Sequence, residues 1–154
     1  MARYLSQVAE MTIAEIVEAL GGSKTFKKPI RKTDDLVAQV RKGLPASTVI
    51  KLAGLLGMHR SEVARQLNIP ARTLSRRLAT KSRLTHDESD RTLRMAKVIA
   101  LAKEVLGAED KAARWMVAPN RALGGERPFD LLDTDLGVRA VEEILQRIQY
   151  GMYS

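Results

Sequence analysis

The chain has 154 residues, of which 45% are hydrophobic and 29% are charged, a composition typical of a folded protein rather than a disordered one. No apolar run is long enough for a membrane span or for the core of a signal peptide, so we expect a cytoplasmic protein that does not associate with membranes. The chain has no cysteine, which excludes disulfides, thiolate zinc sites, iron–sulfur clusters and cysteine nucleophiles.

Positive charge is concentrated in the middle of the chain. The formal net charge is +8. Residues 22–83 hold fifteen Lys or Arg against three acidic residues, whereas residues 1–21 and 84–154 each carry a net charge of −2. A basic segment between mildly acidic flanks is typical of a nucleic-acid-binding protein. The alternative is a solvated helical surface that happens to be basic, and the size of the charge imbalance favours nucleic-acid binding.

Apolar residues recur at helical spacing along the whole chain, and no stretch alternates as a strand does. The pattern therefore predicts an all-α fold. In chain order, the predicted helices run from Ile13 to Leu20, from a cap at Thr33 to before Gly43, from Ala46 to Leu56, and as a short pair between His59 and Thr80. The later ones run from a cap at Thr85 to before Gly107, from Glu109 to before Pro119, as a short helix from Pro128 to Leu132, and from a cap at Thr134 or Asp135 to before Gly151. The basic run Ser23–Lys32 predicts an exposed linker, with contacts to a polyanion as the alternative.

Residues 61–78 have the periodicity of a helix-turn-helix. Val63, Ala64 and Leu67 form one apolar face, and the small side chain of Ala64 allows two helices to cross closely. Asn68 occupies the turn, where its tolerance of positive φ is useful. Leu74 and its neighbours at helical spacing then face inward on the second helix.

The outward residues of the second helix suit DNA. Arginine can form two hydrogen bonds with guanine in the major groove, and Thr or Ser can reach bases or phosphates. We therefore predict groove contacts from Arg72, Thr73, Ser75, Arg76 and Arg77, and phosphate contacts from Lys81 and Arg83, with Lys27, Lys28, Arg31 and Lys32 as further phosphate candidates. A solvated helical hairpin is the alternative.

The C-terminal third contains an unusual set of turn residues. Trp115 is followed by Pro-Asn, then Leu-Gly-Gly, Pro-x-Asp-Leu-Leu, Thr-Asp-x-Gly and a last helix that ends Arg-Ile-x-x-Gly. This pattern resembles the C-terminal domain of the Xre/MbcA/ParS family of bacterial type II antitoxins. Upstream, Arg72-Thr73-Leu74-x-Arg76-Arg77-Leu78 and Leu84-Thr85-x-x-Glu88-Ser89-Asp90-Arg91 are similar to the family's junction between its two domains, so the resemblance covers about residues 46–154.

The resemblance implies an antitoxin with two functions. Its C-terminal domain is expected to bind a toxin, usually an NAD-consuming enzyme of the RES type with an ADP-ribosyltransferase-like fold. Its helix-turn-helix is expected to bind and repress the shared promoter as a homodimer or as a hetero-oligomer with the toxin. The expected division is an N-terminal helical segment with a basic linker (1–45), a helix-turn-helix region (46–84) and a toxin-binding domain (85–154).

The expected toxin-binding residues lie in the turn-rich segment and at the chain end. They are Trp115, Leu123, Pro128, Phe129, Tyr150, Gly151, Met152, Tyr153 and Ser154. Trp115 is either a core residue or an interface anchor, and Pro128 and Phe129 either build a platform or touch the toxin. We hypothesise that residues 148–154 obstruct access to the toxin's substrate site; a frayed end without contacts is the alternative.

A stand-alone regulator with a C-terminal ligand-sensing or dimerisation domain is the alternative function. Catalysis is not expected, because His59 and His86 are the only histidines, lie far apart in sequence and sit near helix starts. Without cysteine, two such histidines make a metal site improbable. The sequence pattern contains no strand, and therefore no glycine-rich phosphate loop between a strand and a helix, so no nucleotide cofactor is expected either.

Overall fold

The structure is a computed structural model that describes residues 13–151. These residues form eight α-helices and three short 3₁₀ helices, so the predicted all-α fold is confirmed. The α-helices are α1 (residues 13–19), α2 (Thr33–Lys42), α3 (Ser47–Leu56), α4 (Arg60–Gln66), α5 (Ala71–Thr80), α6 (His86–Leu106), α7 (Glu109–Val117) and α8 (Asp135–Gln149), and the 3₁₀ helices are Gly22–Lys24, Arg121–Leu123 and Pro128–Asp133. No helix among these described residues is long and apolar enough to cross a membrane.

The predicted start and end of α6 are confirmed. The Thr85 hydroxyl accepts a hydrogen bond from the backbone N–H of Glu88 at 3.2 Å, and the Glu88 carboxylate accepts one from the Thr85 N–H at 2.8 Å. This reciprocal pair satisfies two N–H groups that the helix itself leaves open. Gly107 follows the helix with a φ of 83°, a conformation that glycine adopts without strain.

Two predictions near the start of the described chain differ from the structure. Lys32, rather than Thr33, is the cap residue of α2. The Asp35 carboxylate accepts hydrogen bonds from the backbone N–H groups of Arg31 and Lys32, and these bonds lower the pKa of Asp35. The predicted linker is not wholly exposed, because Phe26 is buried in the core. Its ring holds the segment against the protein and leaves the lysines around it in solvent.

A single hydrophobic core runs through the described chain, and α6 lies at its centre. Met95, Ala96 and Val98 of α6 are fully buried. On different faces this 21-residue helix contacts α2 and α3, which precede it, and α7 and α8, which follow it. The N-terminal and C-terminal halves therefore share one helix and one core rather than forming two bodies joined by a linker.

Two close backbone contacts, at Gly137 and at Gly43, hold neighbouring segments of the fold together. At Gly137, an added Cβ would overlap the carbonyl oxygen of Leu131, so α8 packs directly against the 3₁₀ helix Pro128–Asp133. At Gly43, with a φ of +99°, an added Cβ would overlap the carbonyl oxygen of Leu84. Here the strand-like segment after α2 pairs with the segment after α5. Glycine is required at both positions for steric reasons.

Candidate nucleic-acid interface and C-terminal surface

Helices α4 and α5 form the predicted helix-turn-helix. His59 precedes α4, and its Nδ1 atom accepts a hydrogen bond from the Ser61 N–H at 3.1 Å. Ala64 is completely buried where the helices approach each other. Asn68 has a φ of 57° in the turn, as its position in the sequence predicts. The turn is closed by a hydrogen bond of 2.8 Å from the Ile69 N–H to the Ala64 carbonyl oxygen.

The outer face of α5 presents free cationic groups. Arg72, Ser75 and Arg76 are exposed and Thr73 is partly exposed, while Leu74 is buried on the opposite side. Lys81 is exposed at the end of the helix. Within residues 13–151, no carboxylate lies within 4 Å of Arg72 or Arg76. These side chains can therefore meet an anion without first breaking an ion pair.

Arg77 and Arg83, which the sequence predicts to contact DNA, have partners within the protein, and their DNA contacts stay a prediction. Arg77 forms an ion pair with Glu88 at the start of α6, and its side chain is only 15% exposed. Position 77 lies on the inner side of α5, so this pair holds α5 against α6. Arg83 is exposed, but its guanidinium donates a hydrogen bond of 2.8 Å to the Gly43 carbonyl oxygen. Both arginines thus have structural partners within the protein.

A polar contact that the sequence analysis missed joins the helix-turn-helix to the C-terminal part. The Gln66 amide of α4 donates hydrogen bonds to the carbonyl oxygens of Phe129 and Asp130 at 3.0 and 3.1 Å. The Arg127 guanidinium binds both oxygens of Asp130 at 2.8 Å and lies 3.5 Å from Glu62 of α4. The hydrogen bonds to Asp130 raise the pKa of Arg127. In the sequence, Gln66 and Arg127 look like ordinary solvent-exposed polar residues, so no local signal predicts this contact.

The predicted toxin-binding residues divide into buried and exposed groups. Phe129 is only 2% exposed and Pro128 is also buried. Because buried side chains are not available to a partner, these two residues suit the predicted role of building the platform rather than that of touching the toxin. Leu123 is partly buried and packs against the core. Trp115 is partly exposed, and Tyr150 is 65% exposed after the end of α8.

The remaining predicted residues of this surface lie at the chain end. Gly151 has a φ of 68°, which turns the chain as it leaves α8. Met152, Tyr153 and Ser154 lie outside the described residues. The proposed obstruction by the chain end therefore stays a prediction.

The histidines and carboxylates of the described part of the chain do not gather as metal ligands do. Within residues 13–151, no group of three or more His, Cys, Asp and Glu side chains is placed to hold a metal ion. His59 caps α4, and His86 is exposed at the start of α6. Both positions agree with the helix-start assignment made from the sequence.

Two family models match successive parts of the chain. Residues 35–97 match the antitoxin Xre-like helix-turn-helix domain, and residues 101–151 match the antitoxin Xre/MbcA/ParS C-terminal toxin-binding domain. The two matches meet inside α6. The exposed Arg72, Arg76 and Lys81 fall in the first match, and the partly exposed Trp115 and the exposed Tyr150 fall in the second.

Individual proteins give the same result. The chain is 34% identical over 132 residues to "Antitoxin Xre" of Photorhabdus laumondii, and the aligned region covers 85% of this chain and 89% of that protein. It is 27% identical over 129 residues to the "Prs ADP-ribosylating antitoxin" of Sphingobium, covering 78% and 81%. In the crystal structure of the M. tuberculosis MbcT-MbcA toxin-antitoxin complex, a chain with 28% identity superposes with a TM-score of 0.54 over 71% of this chain and 96% of that one. The protein described here therefore belongs to the Xre/MbcA/ParS family of type II antitoxins, with a helix-turn-helix domain and a C-terminal toxin-binding domain.

Proposed function

We propose that this chain neutralises a toxin encoded beside its own gene and represses the promoter that the two genes share. The observation that carries the proposal is the presence of two surfaces on one core. One is the outer face of α5, where Arg72 and Arg76 have no ion pair within residues 13–151, and the other is the apolar C-terminal surface around Trp115. The family supports one role for each surface. The chain acts as a binding protein in the bacterial cytosol and catalyses no reaction.

The proposed toxin is an NAD-consuming enzyme of the RES type. The resemblance of residues 115–151 to the family's toxin-binding pattern supports this assignment. The Sphingobium relative is named for ADP-ribosylation, a reaction that uses NAD as the donor.

On DNA, we place Arg72 and Arg76 in the major groove, with Thr73 and Ser75 beside them and Lys81 on a phosphate. One helix-turn-helix covers a single half-site, and specific binding generally uses two half-sites separated by whole turns of DNA. We therefore propose that two copies, as a homodimer or within a complex with the toxin, bind a pseudo-palindromic operator. A nuclease footprint that spans two half-sites is the expected result, whereas protection of a single half-site would count against two copies.

Replacing Arg72 or Arg76 with alanine should weaken binding to the promoter by about 1–3 kcal/mol for each base-reading contact that is lost, and should relax specificity at one position. Lys81→Ala should instead weaken binding to all sequences alike and make affinity less dependent on salt. Fluorescence anisotropy with a promoter fragment and a scrambled fragment, over a range of salt concentrations, measures both effects.

Arg114→Ala is the matched control, because Arg114 is an exposed arginine on α7, in the part that matches the toxin-binding domain. It should bind the promoter like the parent. If the chain with both Arg72→Ala and Arg76→Ala also binds the promoter like the parent, α5 is not the recognition helix.

The toxin-binding role is tested by producing the chain together with the product of the neighbouring toxin gene. A complex that stays intact through size-exclusion chromatography is the expected result. A gene with no toxin gene beside it, or two proteins that elute separately, would favour the stand-alone regulator.

A further inference from the structure

Helix α7, the 3₁₀ helix Arg121–Leu123 and helix α8 enclose a groove on the C-terminal surface. It is lined by Trp115, Asn120, Arg121, Ala122, Ile144 and Ile148 and has a volume of about 360 Å³. This volume lies near the lower end of the range of roughly 300–1,000 Å³ for protein ligand sites. We propose that this α7–α8 groove receives an apolar side chain of the toxin, and that Arg121 binds a carboxylate next to that side chain; the inference rests on the proposed toxin-binding function.

The floor of the groove is apolar because two turns of α8 present isoleucine on the same side. Ile144 and Ile148 are four residues apart, which places them one above the other on a helix. Trp115, the only tryptophan of the chain, closes the groove from α7 and is partly exposed. A contiguous apolar groove on the surface is typical of an interaction site, whereas apolar residues exposed singly are common on any protein.

The rim of the groove is held in place by its own hydrogen bonds. The Asn120 side-chain oxygen accepts a hydrogen bond from the Ala122 N–H at 2.9 Å. The Gly125 N–H donates to the Asn120 carbonyl oxygen at 2.9 Å, and Gly124 has a φ of 68°. The backbone that carries Arg121 and Ala122 is therefore fixed before a partner binds. Because it is already ordered, the turn loses less conformational entropy on binding.

Arg121 differs from the other arginines of the segment that matches the toxin-binding domain. Arg114, Arg127, Arg139 and Arg147 each have a carboxylate within 4 Å. Arg121 is exposed and has no such partner within residues 13–151. Tryptophan and arginine are among the residue types enriched where protein interfaces gain most of their binding energy, and this groove places one of each side by side.

The toxin is the occupant that these observations favour. Every residue that lines the groove lies within residues 101–151, the part that matches the toxin-binding domain. Tyr150, which follows the end of α8, is 65% exposed. The partner segment is therefore expected to carry a Leu, Ile, Met or Phe next to an Asp or Glu.

Two substitutions test the groove without disturbing the core, since Arg121 and Ala122 are both exposed. Arg121→Glu reverses the charge at the rim, and Ala122→Glu places a carboxylate in the groove beside Arg121. Each should weaken binding of the purified toxin by about 30-fold or more, the effect of losing one dominant interface contact. Isothermal titration calorimetry with the toxin measures the change. Unchanged affinity for the operator shows that both variants are folded.

Arg139→Glu is the matched control, because it makes the same charge reversal on the opposite side of α8, five and nine residues from Ile144 and Ile148. It should keep the toxin affinity within about threefold of the parent. A toxin variant with Arg in place of the contacting Asp or Glu should bind the Arg121→Glu chain better than the parent toxin does.

The possible results separate the groove from the wider function. If the parent binds the toxin and both groove variants bind it equally well, the groove assignment is wrong and the proposed function stands. If those variants bind normally but a chain that ends at Gly151 does not, the toxin binds the chain end and the groove assignment is again wrong. If the parent itself does not bind the toxin, the proposed function fails, and the groove assignment fails with it.

Discussion

Replacing Phe129 with alanine should lower the free energy of unfolding by about 3–5 kcal/mol, the usual cost of removing a buried aromatic ring. The ring is 2% exposed, and the Arg127 guanidinium lies over it at 5.7 Å from its centre. The backbone carbonyl of the same residue accepts a hydrogen bond from Gln66 of α4. Loss of the ring leaves a cavity where the 3₁₀ helix Pro128–Asp133 meets the helix-turn-helix. Urea unfolding followed by circular dichroism measures the change.

Tyr150→Ala is the control for this substitution, because Tyr150 is an aromatic residue of the same part of the chain that is largely exposed. It should change the free energy of unfolding by no more than about 0.5 kcal/mol. The Phe129→Ala chain should lose toxin and operator affinity together near its unfolding midpoint, because both surfaces are built on one core. Unfolding at the same urea concentration as the parent would show that Phe129 is not a core residue.

A chain that ends after Ile148 should still bind the toxin but should no longer suppress NAD loss. Its remaining α8 residues include the buried Val138, Val141 and Leu145, so the helix stays anchored. What is removed is the exposed Tyr150, the turn at Gly151 and the last three residues, which we propose obstruct substrate access. Toxin binding by calorimetry and NAD consumption in vitro measure the two properties separately.

A second chain that ends after Gly151 is the matched control for this truncation. It retains Tyr150 and the turn, so comparison of the two chains assigns the effect to the turn or to Met152–Ser154. Full suppression of NAD loss by the chain that ends after Ile148 would refute the obstruction. Loss of binding as well as suppression would show that the chain end provides affinity rather than a plug.

Local signals in the sequence predicted most of the helices. The capping box at Thr85 and Glu88 and the glycine at position 107 each act within one turn of their own position, so they can be recognised without knowledge of the fold. The same holds for Asn68, whose positive φ follows from the spacing of the apolar residues around it. The apolar periodicity of α4 and α5 then placed Arg72 and Arg76 on the outer face.

Long-range contacts were not predictable in the same way. The partner of Arg77 is eleven residues away on another helix, and the partners of Gln66 lie 63 and 64 residues away. Nothing in a charged or amide side chain itself reveals such a partner, so the sequence predicts the same DNA contacts for Arg77 as for the other arginines of α5 and does not predict its ion pair with Glu88. Phe129 was similarly ambiguous, because a single aromatic residue in a turn-rich segment has no periodicity that shows whether it faces inward.

The shared helix α6 has a consequence for the whole antitoxin. The two family matches meet between residues 97 and 101, yet α6 continues unbroken from His86 to Leu106. Gln66 and Arg127 add polar contacts between the two parts. We therefore expect the recognition helix and the α7–α8 groove to keep a fixed orientation, so that a bound toxin takes a defined position relative to the operator.

Growth of cells in which the neighbouring toxin gene is induced tests the central claim most directly. With the intact chain present, growth and NAD content should be maintained. The chain with Arg72→Ala and Arg76→Ala should protect equally well when both are expressed from an unrelated promoter, because neutralisation depends on the C-terminal surface. Growth arrest and loss of NAD in cells that contain an excess of the intact, folded chain would contradict the account.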